Sequence, residues 1–234
     1  MRQFGAAAAI LGLAALTTLT ATTAAAQEPG GADAAGYVSA FAGPAWAAGN
    51  STGSILFEGG VRVAPHVMVF GNLGRFANLQ GDLQPTIDAT TAALANEGVT
   101  VTGQGSLPAW YGLGGLRVEI PTHTRVIPYA MSGVGAARLN PSAQFMFSSG
   151  TLPDGSTPAL GTDITASLTS VGAFTPPPSS TALMVLAGGG VQIPVVPHWA
   201  VDVGYRYSHI AADSTLSAAP LNTNVLTFGI GYRF

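Results

Sequence analysis

The sequence predicts an all-β fold, an eight-stranded antiparallel transmembrane up-and-down β-barrel with short turns at one end and long loops at the other. Three observations predict it. Apolar residues recur in eight short segments that alternate with polar residues or are interrupted by glycine, and not in long helical runs. The connections between those segments are alternately short and long. The chain opens on an export-like segment and closes on an alternating strand that ends in Phe.

Composition supports this reading before any segment is placed. Of 234 residues 47% are hydrophobic and only 8% charged, which is unlike an ordinary soluble surface and too apolar for disorder. The 31 glycines and 16 prolines break up the apolar residues after the first 26 positions, so long membrane helices are hard to place. Eight arginines, no lysine and 11 acids give a net charge of −3 without a basic patch, which argues against nucleic acid as a partner. Absence of cysteine removes disulfides, a thiol nucleophile and thiolate metal sites.

The first element is a signal peptide over residues 1–26. Arg2 lies in a short charged region, an apolar stretch runs from Phe4 to about Leu19, and Ala24-Ala25-Ala26 supplies small residues for cleavage before Gln27. A short lead-in follows over 27–34, and the barrel is expected over 35–234.

The eight strands are expected at Gly36–Ala47, Ser54–Ala64, His66–Phe76, Pro108–Ile120, Val126–Leu139, Ala182–Ile193, Trp199–His209 and Asn224–Phe234. Each reaches the roughly 9–11 residues that a tilted strand needs to cross the hydrocarbon layer. Short connections fall at Ala64-Pro65-His66, Pro121 to Arg125 and Pro194 to His198. The opposite end carries Gly49–Gly53, Ala77–Leu107, Asn140–Thr181 and Ala211–Thr223. That asymmetry places the short turns in the periplasm and the long loops outside. A rival reading makes Pro176 to Val201 a membrane helix, but Gly188-Gly189-Gly190, Pro194 and Pro197 would break it. Strands in hydrocarbon must close, since an open edge leaves unpaired backbone groups.

Closure divides the side chains into a lipid face and a lumen face. Charged residues are expected inside, and they share parity with small or polar neighbours: Glu58 and Arg62 with Gly60, Arg117 with Glu119, and Arg138 with Ser132 and Ala136. Asp202 and Arg206 fall with Gly204 and Ser208, and Arg233 with Gly229 and Gly231. The expected lumen therefore sets Glu58, Glu119 and Asp202 against Arg62, Arg117, Arg138, Arg206 and Arg233. Guanidinium forks pairing with carboxylates would plug an eight-stranded interior. The alternative is a hydrated cavity, with Gly188, Gly190, Gly204 and Gly229 leaving space for water. Two aromatic girdles are expected, Tyr129, Trp199, Tyr232 and Phe234 at the turn side and Trp46, Phe76, Trp110 and Tyr207 at the loop side.

The stretches Asp202-Val203-Gly204-Tyr205-Arg206-Tyr207 and Phe228-Gly229-Ile230-Gly231-Tyr232-Arg233-Phe234 carry a family likeness. With the signal and the strand count, the chain resembles the small bacterial outer-membrane barrels that include opacity-type proteins and the membrane domain of outer-membrane protein A. The pattern covers 35–234, and only these two stretches are distinctive. The resemblance implies outer-membrane location, export through the periplasm, and outer-membrane lipid and lipopolysaccharide as surroundings. It also implies that the terminal row Leu226, Phe228, Ile230, Tyr232 and Phe234 is an assembly signal read by the barrel-assembly machinery. Because the chain stops at its eighth strand, no wall-anchoring domain is expected.

Enzymatic chemistry is weakly encoded. Tyr207-Ser208-His209-Ile210-Ala211 resembles the His-x-Ser-Asn region of lipid A deacylase barrels, but Ala211 stands where the hydroxyl nucleophile belongs, and Ser208 points to the opposite face of the strand from His209. His66, His123 and His198 all fall in the short turns, where turn or interfacial roles fit better than a metal site. Glycine clusters at 112–115 and 188–190 lack the strand–loop–helix context of a nucleotide site. Within the long loops Thr86–Asn96 is compatible with a short helix and Thr175-Pro176-Pro177-Pro178 is stiff and extended. The expectation is a non-enzymatic outer-membrane protein without cofactor or metal, acting in envelope structure or surface interaction through its loops. The alternatives are a narrow porin-like channel and, behind it, a lipid A-modifying enzyme.

Overall fold

The computed structural model describes residues 34–47, 49–79, 83–152, 154–211 and 220–234. The expected signal peptide and nearly all of the lead-in lie outside the described residues. Among the described residues ten strands and two helices follow one another as β1 (Gly36–Ala47), β2 (Asn50–Ala64), β3 (Val67–Phe76), α1 (Leu83–Asn96), β4 (Thr100–Ser106), β5 (Ala109–Glu119), β6 (Ile127–Leu139), β7 (Ser142–Ser149), α2 (Thr165–Ser170), β8 (Ser180–Val196), β9 (Trp199–Ile210) and β10 (Leu221–Arg233). Eight of the strands close into a barrel in the order β1-β10-β9-β8-β6-β5-β3-β2, so each pairs antiparallel with its neighbour along the chain. The seam joins β1 to β10, from Tyr37 opposite Arg233 to Ala47 opposite Thr223.

Alternation sets the two faces. Inward positions are buried and outward ones expose a band of Val, Leu, Ile and Phe, including Val38, Phe57, Leu73, Leu116, Val134 and Ile230. No helix among the described residues is long and apolar enough to cross a membrane. Backbone donors and acceptors are instead satisfied around a ring without edges, which is what a hydrocarbon environment requires of strands.

Two turns on the short side have the same construction. Pro65-His66 joins β2 to β3 and Pro197-His198 joins β8 to β9, with His66 at φ 62° and His198 at φ 70°. Proline presets the first turn position and the histidine takes the left-handed second one, where glycine is usual. On the loop side the sequence expectation of a loop over 49–53 is corrected. Asn50, Ser51 and Thr52 pair with Ala47, Trp46 and Ala45, and Gly49 at φ 81° takes the left-handed conformation that so short a reversal needs.

The connections over 77–107 and 140–181 contain a folded module. Strands β4 and β7 pair antiparallel as a separate sheet, and α1, which begins at Leu83 rather than Thr86, covers one face of it. Leu83, Ile87 and Leu94 share a helix face and meet Val101, Phe145 and Phe147 in a core distinct from that of the barrel. A Cβ on Gly103 would lie 2.4 Å from Ile87, so glycine is what lets the helix approach the sheet. Both open edges are covered. Gln84 accepts from the Gly105 N–H at 3.0 Å and donates to the Gly103 carbonyl at 3.4 Å, imitating a strand beside β4. The segment 161–164 bonds along β7 through Thr162, Gly161 and Ile164.

Candidate functional site

The turn-side half of the lumen is a network of charges centred on Arg117. Its side chain is 0% exposed. Strand parity points Glu58 from β2, Arg117 and Glu119 from β5, Asp202 and Arg206 from β9, and Arg233 from β10 at the barrel axis, and all six are buried. The Arg117 guanidinium lies between two phenol rings, its Cζ 3.7 Å from the Tyr129 centroid and 4.6 Å from that of Tyr37. Its nitrogens come within 3.7 Å of Glu58, 3.5 Å of Glu119 and 3.8 Å of Asp202, and it donates to Gln192 Oε1 at 3.3 Å.

The same rings tie the carboxylates down. Tyr37 donates its hydroxyl to Glu58 at 2.8 Å and Tyr129 donates to Asp202 at 2.7 Å. Arg206 donates to the other oxygen of Glu58 at 2.7 Å and rests on the Phe41 ring, 4.7 Å from its centroid. Arg233 grips Glu119 with both terminal nitrogens, at 3.0 and 3.2 Å, and also donates to Gln192 Oε1. Arg62 stands at the turn-side rim, half-buried, 3.7 Å from Glu119 and donating to the Ala34 carbonyl at 2.9 Å. Every carboxylate thus has a cation and a second donor or cation, the condition under which buried charge is tolerated. The four arginines exceed the three carboxylates by one positive charge.

Glycines on the facing strands are notches for these side chains. A Cβ at Gly190 or Gly204 would lie 2.7 or 2.9 Å from the Tyr129 hydroxyl, and one at Gly229 would lie 2.3 Å from the Phe41 ring. At Gly188 it would meet the backbone of Tyr205 at 2.7 Å and the Arg206 side chain at 3.3 Å. The space that the sequence offered to water at these four positions is occupied by neighbouring strands and side chains. Above the charges, at the loop end, Leu79, Leu107, Leu139, Met184, Ile210 and Leu221 are buried, and Phe76 stacks on Tyr111 at 4.9 Å.

Arg138 corrects the expected network. It is on the outer face of β6 with Ser132 and Ala136, because Tyr129, Met131, Ala137 and Leu139 take the inner positions. Both parities of this strand carry small residues, so pattern alone pointed the wrong way. The girdle assignment is corrected for Tyr129 and Phe76 as well, since both are inside. Trp199, Tyr232 and Phe234 do line the turn-side exterior, with Trp199 edge-on to Tyr232 at 5.4 Å, while Trp46, Trp110 and Tyr207 are exposed toward the loops. The row Leu226, Phe228, Ile230, Tyr232 and Phe234 runs down the outer face of β10 and the residue after it. Sequence reasoning missed Tyr37, Tyr129 and Gln192 as members of the network. The signal for Tyr129 was the pair of glycines at 190 and 204, which make room for a side chain reaching across β8.

The remaining candidates separate. His209 faces outward and its Nδ1 lies 2.8 Å from Asn222 Oδ1, which also accepts from the Tyr207 hydroxyl at 2.9 Å. Ser208 is buried in the lumen. Among the described residues no three His, Asp or Glu side chains are grouped closely enough for one metal ion. The loop module presents an open cleft of about 720 Å³ lined by Asn78, Gln84, Gln104, Ser142, Gln144 and Asp163, among others. The Thr165 hydroxyl and N–H hold the Asp163 carboxyl below the usual carboxylate range, so it is ionised at neutral pH.

Comparison with known proteins agrees with this geometry. A family profile for the outer membrane protein β-barrel domain matches residues 11–234. No curated protein matches the sequence. The fold is similar to that of Neisserial surface protein A, at TM-score 0.54 and 17% identity, covering 86% of this chain and 97% of that one. It is also similar to Ail, the attachment invasion locus protein of Yersinia pestis, at TM-score 0.41 and 14% identity, covering 85% and 99%. The outer membrane enzyme PagL is similar at TM-score 0.38 and 12% identity, over 85% and 99%. At these identities the likeness is one of fold.

Proposed function

The chain belongs to the outer membrane protein β-barrel domain family and resides in the bacterial outer membrane, and from that premise we propose that it is a non-enzymatic envelope protein whose closed barrel carries an interacting loop module. The observation that carries this reading is the enclosure of Arg117 between Tyr37 and Tyr129 with three carboxylates around it. A lumen filled in this way, with an apolar layer above it, is a fixed post rather than a path for solutes. The module of α1, β4, β7 and α2 has a core of its own, which suits it to present a surface of defined shape. Its cleft offers amides, hydroxyls and one carboxylate, groups that bind neutral polar ligands through hydrogen bonds.

Absence of catalysis is supported by the outward His209 environment. Asn222 orients the imidazole, but Ala211 offers no hydroxyl and Ser208 is on the other side of the wall. Liposome swelling tests the reading against the channel alternative. Vesicles holding the protein are expected to shrink and recover in small sugars at the rate of protein-free vesicles, and graded uptake by solute size would reject the plug. Mass spectrometry of lipid A from expressing cells is expected to show no new species. A deacylated species that disappears in His209→Ala would establish an enzyme.

A further inference from the structure

The outer wall carries two arginines that the lumen does not use. Arg75 on β3 and Arg138 on β6 both point away from the interior and are exposed. In register each lies directly across from Trp110 on β5, one on either side. The Arg75 Cζ is 5.5 Å from the Trp110 ring centroid. Neither arginine has an acidic partner among the described residues.

The height of this row on the wall is readable from the strands. Just toward the turns, the outward neighbours are Leu73, Gly112 and Ala136, and along β5 the outward positions continue as Gly114, Leu116, Val118 and Ile120 without a charge. The ten residue steps from Trp110 to Ile120, at about 3.3 Å each and a tilt of about 40°, rise about 25 Å, the height of the apolar band of an outer-membrane barrel. Just toward the loops the chain leaves the wall at Ala77, Pro108 and Asn140. Trp110 and its flanking arginines therefore stand where hydrocarbon gives way to headgroups on the loop side.

A tryptophan belongs at that level, whereas two guanidinium groups without carboxylate partners among the described residues call for anions from outside the protein. We infer that Arg75, Trp110 and Arg138 form a binding site for the phosphate-bearing headgroup of an anionic lipid in the outer leaflet. Guanidinium forks match phosphate oxygens bidentately. The β3 and β6 backbones are two strand spacings apart, about 10 Å, so both long side chains reach a single headgroup. The indole between them gives that headgroup an amphipathic floor. The site rests on the membrane placement of the wall and is independent of whether the lumen conducts.

The test uses the full-length protein with Trp46→Phe and Trp199→Phe, so that Trp110 is the reporter, in phosphatidylcholine nanodiscs. Adding a few per cent of bisphosphorylated lipid A is expected to shift and saturate the Trp110 emission. The same lipid stripped of its phosphates, and inorganic phosphate at millimolar concentration without lipid A, are expected to leave it unchanged. Arg75→Gln with Arg138→Gln is expected to weaken the titration at least about tenfold, and each single substitution about threefold, with the heat-dependent gel shift of a folded barrel retained. The single substitutions decide the matter if the double variant does not insert. An equal response to the dephosphorylated lipid overturns the proposal, as does an equal response in the arginine variants. A full response to free phosphate would replace the lipid site by a simple anion site.

Discussion

Tyr129 on β6 donates a 2.7 Å hydrogen bond to Asp202 on β9, crossing the whole width of β8 to do so. It crosses at Gly190, which is opposite Tyr129 in one register and opposite Gly204 in the next. The two glycines and the tyrosine are one arrangement, and the hydrogen bond depends on both missing side chains.

Gly204→Ala is therefore expected to push the Tyr129 hydroxyl, 2.9 Å from the new methyl position, off Asp202. Overpacking of this kind costs about 1–3 kcal/mol. Tyr129→Phe alone leaves Asp202 short of a donor and is expected to cost about 1–3 kcal/mol. Because both substitutions break the same contact, the double variant should lose less than the sum of the two. Urea unfolding in lipid vesicles, read by tryptophan emission, measures this, and strict additivity would separate the glycine from the hydrogen bond.

Arg117 is the cation that Glu58, Glu119 and Asp202 share. Arg117→Met takes the ion-pair partner from buried Asp202 and is expected to lower stability by about 3–5 kcal/mol. Adding Asp202→Asn to that variant removes the carboxylate left without its ion-pair partner and is expected to restore part of the loss. The same unfolding experiment reads both, and a further fall in the double variant would mean that Asp202 is sustained without Arg117, by the Tyr129 hydroxyl.

The two Pro-His turns should respond differently to glycine. His66→Gly relieves a left-handed backbone and gives up nothing visible, because the buried Nδ1 of His66 has no hydrogen-bond partner. A gain of up to about 1 kcal/mol is expected. His198→Gly relieves the same strain but loses the 2.9 Å hydrogen bond that Nδ1 donates to the Arg233 carbonyl and the stack on Tyr232 at 5.5 Å. It is expected to be neutral or destabilising. Unfolding midpoints of the two variants side by side settle the ordering.

Ile87 is fully buried in the core of the loop module and touches none of the barrel's core. Ile87→Ala is expected to cost the module about 2–5 kcal/mol. Limited proteolysis should then cut within 83–106 or 142–174 at protease levels that the unsubstituted protein resists, while the heat-dependent gel shift of the barrel stays unchanged. Loss of both together would show that module and barrel fold as one unit.

The number, order and most limits of the barrel strands were legible because a lipid-facing band writes its period directly into the sequence, as in β10, where Phe228, Ile230 and Tyr232 alternate with Gly229 and Gly231. The faces were legible where a charge shared parity with glycine opposite bulky residues, as for Asp202 and Arg206. They were illegible in β6, where small residues occupy both parities and Arg138 belongs to the rim, beyond the stretch that the alternation rule governs. The loop module was hidden for a different reason. Its sheet pairs segments far apart in the chain, Gln104 with Gln144 and Thr100 with Ser149, and neither β4 nor β7 carries a regular apolar alternation of its own. Only the helix announced itself.

The claim on which the account turns is that the interior is shut by paired charges. Single-channel recording in a planar bilayer tests it most directly, comparing the unsubstituted protein with Arg117→Ala/Arg206→Ala. The unsubstituted barrel is expected to give no steady conductance, and the double variant, stripped of two side chains from the plug but still closed at the loop end by its apolar layer, to give only brief openings. Steady, ohmic single-channel currents through the unsubstituted barrel would contradict the account.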